Sequence, residues 1–272
     1  MRKKFSALLI SLGVIVSLGL ASPAFAVTTY HYAIGEQFDL VADGAAVNLT
    51  VEAPHVNAAH DGANAHSIAE LAVFSADRKN RIEAGWRKSA TAAPTFFVYH
   101  AVNNVPMGYN LCTDYAAEPF NAGNTIPAAM VGNKTTPPRF QIVHSGTNWW
   151  IAFNAKWVCH FPDTVWTSAG QTFTKVNQVQ AYGEYASTTT ATPCGDMGDG
   201  QDASSGTSAR IGSYSLQGQT AGSPAAFSVR VAPTGVGITT SIQSTTTFRY
   251  GWKGYKDNPS PTADSLPGIT GC

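Results

Sequence analysis

Charge is scarce in this sequence. Asp, Glu, Lys and Arg make up 12% of the 272 residues, 17 basic against 17 acidic. No basic run stands out, which excludes the electrostatic footprint of a protein that binds nucleic acid or an anionic membrane. Cysteine is rare at four residues, and no C-x-x-C pair exists, which speaks against a zinc ribbon. A G-x-S-x-G elbow, a P-loop, a G-x-G-x-x-G turn and H-E-x-x-H are all missing. Helix start and stop signals are nearly absent too. Apolar runs long enough to span a membrane, roughly 18 residues, are missing beyond the N-terminus.

The N-terminal exception has its own pattern. "MRKK" is a positive start, "FSALLISLGVIVSLGLA" an apolar stretch, and "AFA" at 24–26 a small-x-small cleavage site. Residues 1–26 therefore read as a secretory signal peptide, leaving 27–272 as a single secreted domain with no membrane anchor. Arg2, Lys3 and Lys4 leave with it, so the mature chain has a small acidic excess. Cys112, Cys159, Cys194 and Cys272 then read as two disulfides in an oxidising compartment, with three connectivities open.

What is plentiful is Thr, Val, Tyr, Phe, Gly and Asn. Strand-like runs occupy 46–53, 67–76, 81–86, 95–102, 139–145, 149–158, 171–187, 228–232 and 245–252. Turn-forming clusters separate them. This spacing predicts an all-β fold, an antiparallel β-sandwich or jelly roll of two stacked sheets. The polar, Gly-rich stretch 190–208 predicts a surface loop, solvated or beside a site.

Two of these runs carry a residue that strands disfavour. "RIEAGWR" holds Glu83, and "QAYGEYASTTT" holds Glu184. Alternation puts Ile82, Ala84 and Trp86 on one face and Arg81, Glu83, Gly85 and Arg87 on the other. In 172–186 it groups Thr172, Thr174, Val176, Gln178, Gln180, Tyr182 and Glu184. Trp149, Ile151, Phe153, Ala155, Trp157, Cys159 and Phe161 form a continuous apolar face, a core signature. Both glutamates should point away from the core. Periodicity alone favours glutamates that are simply solvent-exposed; if their strands share a sheet, the alternative is that both line one concave polar cleft.

Other groupings carry less. His55, His60 and His66 lie in one loop, but their irregular spacing gives a polar loop rather than a metal site. Trp149, Trp150, Tyr182 and Tyr109 suit a sugar platform or a core equally well.

A series of segments in order resembles the neprosin family of secreted glutamic peptidases. "IEAGWR" (82–87) is similar to the family's "EAGW". "PTFFVYHA" (94–101) is similar to its "rLFVYW", and "GYNLC" (108–112) to "GCYNLLC". "NWWIAF" (148–153) with "FP" (161–162) resembles "NWWL…YWP". "YGEYASTTT" (182–190) and "MGDG" (197–200) resemble "GGEV…TTTQMGSG". "ARIGSY" (209–214) and "FRYGWKGY" (248–255) resemble its late strand and terminus. The likeness spans about 33–272.

The resemblance implies a two-sheet β-sandwich with a glutamate pair in a cleft, and metal-free, cofactor-free cleavage of peptides after proline at acid pH. Glu83 and Glu184 fall on the family's catalytic positions. Tyr182, Gln180, Asn110 and Thr188 are candidates for contacts to the oxyanion. Trp86, Trp150 and Tyr185 are candidates for a slot that takes a proline ring. The sequence also departs from the family pattern. Ala191 replaces a Gln, and the first cysteine of "GCYNLLC" is missing, so that short disulfide cannot form and Cys112 pairs elsewhere or stays free; the pairing expected here is Cys112–Cys159 and Cys194–Cys272. No propeptide fits between the leader and the matched segment. Two other readings use the same residues: a glycoside hydrolase with paired carboxylates, and a non-catalytic sandwich that binds glycan or peptide.

Overall fold

The computed structural model describes residues 28–188, 193–219, 224–232 and 237–252. The leader segment, Ala191 and Cys272 lie outside the described residues. Chain order gives β1 (Thr29–Gln37), β2 (Gly44–Leu49), β3 (His66–Phe74), β4 (Arg81–Ser89), β5 (Thr95–Val102), β6 (Val105–Tyr109), β7 (Thr113–Asp114) and β8 (Arg139–Ser145). Then come β9 (Asn148–Phe153), β10 (Lys156–Pro162), β11 (Gln178–Ser187), β12 (Arg210–Gln217), β13 (Ser228–Ala232), β14 (Thr239–Ser244) and β15 (Thr247–Gly251). Among the described residues, helix is confined to single turns such as α1 (Ala58–Asp61) and α2 (Thr164–Thr167).

Two antiparallel sheets result, as expected of a β-sandwich. One runs β13-β1-β11-β3-β4-β5-β6, the other β14-β15-β12-β2-β8-β9-β10-β7. Hairpins follow from local chemistry. Asn103–Asn104 (φ 51° and 64°) and Asn154–Ala155 (φ 50° and 64°) are left-handed pairs, the backbone that two-residue hairpins need and asparagine tolerates.

The core between the sheets is aromatic. Trp86, Trp149, Trp166, Phe96, Phe140, Phe161 and Phe248 are fully buried. Each of the three indole N–H groups donates to a backbone carbonyl: Trp86 to Thr50 at 2.9 Å, Trp149 to Phe173 at 2.8 Å and Trp166 to Ala101 at 3.3 Å. The rings thus bury their area without orphaning a donor. Gly183 serves this packing, because a Cβ there would sit 2.2 Å from the Tyr250 ring of β15.

Several strand boundaries differ from expectation. The run 149–158 is a hairpin, not one strand, and a bulge lies between Trp157 and Cys159. Val158 and Cys159 are both buried there, and Trp157 is turned out of the apolar face assigned to it, which Ala155 also leaves for the turn. β11 starts only at Gln178. Val176, read as a member of the Glu184 face, is a fully buried core residue bridged to Ala42. β1, β6, β7, β12 and β14 are not among the strand-like runs, being short, exposed or rich in polar residues.

The described part of the 190–208 stretch is partly tucked in: Pro193, Cys194, Met197, Ala203 and Ser208 are buried, while Asp202, Ser204, Gly206 and Thr207 are exposed. Its anchor is Asp61, itself fully buried. Asp61 accepts from the Tyr185 hydroxyl at 2.5 Å and from the backbone N–H groups of Cys194 and Gly195, each at 2.9 Å.

Cys112 and Cys159 form the expected disulfide, closing a separation of 47 residues. Cys194 is also disulfide-bonded, and its expected partner Cys272 lies outside the described residues. Chain entropy alone credits a loop of this length with about 4 kcal/mol. The Cys112→Ser/Cys159→Ser double variant is expected to lose about 2–4 kcal/mol in urea unfolding with an unchanged final fluorescence of the native state. Equal midpoints for variant and parent would show that the bridge adds nothing.

Candidate active site

Glu83 on β4 and Glu184 on β11 share the seven-stranded sheet, separated by β3. Both point away from the inter-sheet core. Glu83 is cross-strand from Ala72 and Tyr99, and Glu184 from Ile68 and Tyr32. The face they occupy is not the polar surface expected. A second apolar cluster of Ile34, Ile68, Ala72, Phe74, Phe97, Tyr99, Ala101 and Tyr182 covers it, with Tyr32 packed alongside. Glu83 is 8% exposed and Glu184 5%. Two strand carboxylates are therefore held in an apolar setting.

A third carboxylate stands with them. Glu70, on β3 between the two, is 1% exposed and lies cross-strand from Tyr182 and Gly85. It is two residues from Ile68 and two from Ala72, so it is the diagonal neighbour of both Glu184 and Glu83. Diagonal pairs lie about 7–8 Å apart at Cα, within reach of long side chains. Gly85 is what makes room: a Cβ there would meet the Glu70 Cβ at 2.6 Å.

The counter-charges are few. Arg81 Nε lies 2.8 Å from Glu83 Oε1, and its guanidinium also donates to the Tyr99 hydroxyl at 3.3 Å. His66 Nε2 lies 3.3 Å from Glu184 Oε1. Burial pushes the Glu83 carboxyl up to about 7, Arg81 pulls it down, and the charge of Glu184 adds to the rise. Burial drives Glu70 well above the usual carboxylate range, reinforced by Glu83 and Glu184. Burial, then the charge of Glu184, raises the Tyr32 hydroxyl.

The other expected site residues are scattered. Tyr182 belongs to this face, edge-on to Tyr32 at 5.4 Å. Gln180 lies further along the same face and donates to Glu36 at 3.1 Å. Asn110 holds the edge of β5, donating to the Val98 carbonyl at 2.7 Å and accepting from the Val98 N–H at 2.9 Å. Thr188 bonds the Asp61 carbonyl beyond the end of β11. Trp86 and Tyr185 are core residues, so neither lines a proline slot. Trp150 sits on the other sheet, in an opening of about 470 Å³ with Tyr115 and Trp157.

Of the three loop histidines, only His66 reaches the site. His60, Asp61 and Cys194 offer atoms within 4.8 Å of one another, but the Cys194 sulfur is tied up in a disulfide and Asp61 already accepts several hydrogen bonds. Glu70, Arg81, His66, Tyr32 and Tyr99 were missed as site residues. The signal for Glu70 was available, since "SIAELAVFSA" also spends a central strand position on a glutamate. Arg81 was already on the Glu83 face by alternation.

A sandwich with acidic side chains buried on the outer face of one sheet defines the class: a β protein with a carboxylate-based site. A family profile described as Neprosin matches residues 63–220, more than half of the chain, and spans Glu70, Glu83 and Glu184. The chain belongs to the neprosin family. No curated protein matches the sequence. Among solved structures, the chain is similar to scytalido-glutamic peptidase bound to a transition state analog inhibitor. The identity is 7% and the TM-score 0.44, covering 84% of this chain and 100% of that one. A second structure of scytalido-glutamic peptidase, with a peptide-based transition state analog, gives 8%, a TM-score of 0.40 and the same coverage.

The raised carboxyls set a pH dependence for folding. The folded state holds protons that the unfolded chain releases above about pH 4.3. Stability is therefore greatest below that value and falls as pH rises through the folded value of Glu83, about 7. Calorimetry should show Tm dropping between pH 5 and pH 7, by about 2–4 °C for each kcal/mol lost. Glu83→Gln should flatten that slope. A Tm that rises over this interval would contradict the assignment.

Proposed function

We propose that this chain is a secreted glutamic peptidase that hydrolyses peptide bonds, by preference after proline, with Glu83 and Glu184 as the catalytic pair. Membership of the neprosin family supports a peptidase. The observation that carries the chemistry is the burial of both glutamates on one apolar sheet face, where the charge of Glu184 acts on Glu83.

The mechanism divides the work between one proton and one charge. Glu83, pushed up to about 7, carries the proton in acid. Glu184 accepts a proton from a water as its oxygen bonds to the scissile carbonyl carbon. Glu83 gives its proton to the carbonyl oxygen as the double bond opens. When the intermediate collapses, the carbonyl re-forms, the C–N bond breaks, and the leaving nitrogen takes the proton that Glu184 received. Glu83 regains its own from the hydroxyl. The pair ends as it began, and its titration belongs to both members. Arg81, beside Glu83, keeps a positive charge near the developing oxyanion.

The proline preference rests on the family resemblance. Tyr182, Tyr32 and Tyr99 place aromatic rings on the face of the glutamate pair, the kind of surface that suits the rigid apolar side of proline. Secretion is supported by the leader pattern and by the Cys112–Cys159 disulfide. No described helix is long and apolar enough to cross a membrane.

The test is digestion of a proline-rich peptide by residues 27–272 from pH 2 to 8, read by mass spectrometry. Cleavage after proline is expected in acid and should fade as pH passes about 7, where Glu83 loses its proton. Glu83→Gln and Glu184→Gln should each cut kcat by about 100-fold or more. A folded wild type that cleaves nothing, or variants that cleave as well as wild type, would sink the proposal. Release of sugar from dyed polysaccharides would point to the glycosidase chemistry instead.

A further inference from the structure

Glu70 is the group the mechanism above leaves unused. It is 1% exposed, and neither of its carboxyl oxygens has a hydrogen-bond partner among the described residues. Every other site carboxylate has a neighbour of complementary chemistry: Arg81 for Glu83, His66 for Glu184. A buried carboxylate without a partner is costly, whereas a buried carboxyl is merely polar and brings a donor of its own.

The surroundings indicate where that donor goes. From β11, Tyr182 lies beside Glu70 and Glu184 lies one diagonal step away. From β4, Gly85 lies beside it, and Glu83 and Arg87 lie at the diagonals. Arg81 acts on it from further along β4, but that guanidinium is already engaged by Glu83 and Tyr99. Tyr32, Tyr99 and Tyr109 complete the set of titratable groups that feel its charge. The tyrosine hydroxyls are all pushed up by burial, so negative charge in this neighbourhood falls to the carboxyls.

We propose that Glu70 is a positioning residue that keeps its proton through neutral pH and donates its O–H to the Glu83–Glu184 pair, steadying the single negative charge the pair carries. Gly85 is part of the device, because any larger residue would displace Glu70 from between the two. The role in catalysis rests on the peptidase reading; the protonation and the hydrogen bond do not.

The experiment therefore has two arms. In the first, side-chain carboxyls of ¹³C-glutamate-labelled protein are titrated by NMR in wild type, Glu70→Gln and Glu70→Met. Glu70 should remain protonated at pH 7. Glu70→Gln keeps a donor and should leave the titration of Glu83 and Glu184 near that of wild type. Glu70→Met keeps the bulk without the donor, so the pair should lose its first proton about one pH unit higher. In the second arm, Glu70→Met should lower kcat about tenfold at little change in KM and move the acid limb of the profile upward by a similar unit. Glu70→Gln should restore both.

A Glu70 resonance that titrates like an ordinary carboxylate would overturn the proposal without any variant. So would Gln and Met variants that behave alike, which would reduce Glu70 to packing. If wild type cleaves no peptide, the peptidase reading falls, while the NMR arm still decides the state of Glu70.

Discussion

Like charges have been taken out of water on the outer face of one sheet, and the rest of the molecule is arranged around that cost. Glu70, Glu83 and Glu184 sit on three adjacent strands of the sheet in an apolar cluster, with the Arg81 guanidinium paired to Glu83. Three ionised carboxylates in such a place would repel one another with little screening. The arrangement is tolerable only with protons retained. The same constraint makes the site chemically capable, since a carboxyl that holds its proton near neutrality is an acid and its ionised neighbour a base.

The sandwich supplies what such a site needs, namely rigidity. β3 is the middle strand of the site and pairs along its whole length with β4 and β11. A slip of one residue in either pairing would turn a glutamate into the tryptophan-filled core. The core forbids it, because Trp86 alternates with Glu83 on β4 and Tyr185 follows Glu184 on β11, each fully buried. Register is thus fixed by the large apolar side chains on one face, and the carboxylates on the other inherit that precision. The profile match ends at residue 220, but the sheets do not: β13 flanks β1, and β15 brings Tyr250 against Gly183.

Much of this was legible in the sequence, and for physical reasons. Alternation placed Glu83 and Glu184 away from the core, and a strand such as 95–102 could be read to its ends because both faces are apolar. What could not be read was anything set by a neighbour distant in sequence. The bulge that turns Trp157 outward leaves no mark in composition. Trp86 looked like a binding residue because it stands in the same motif as Glu83; only the pairing of the sheets shows its indole bonded to Thr50. Glu70 was the avoidable omission, since the argument that singled out the other two glutamates applies to it unchanged.

The buried Asp61 has a bearing on survival. Its carboxylate accepts from the Cys194 N–H, which is half of the peptide bond that follows Pro193. Both residues of that bond are buried. Under the proposed preference for cutting after proline, such a bond would be a target within the protein's own chain. Holding this one inside, its nitrogen already engaged, denies other copies the extended, accessible segment that a cleavage site must offer.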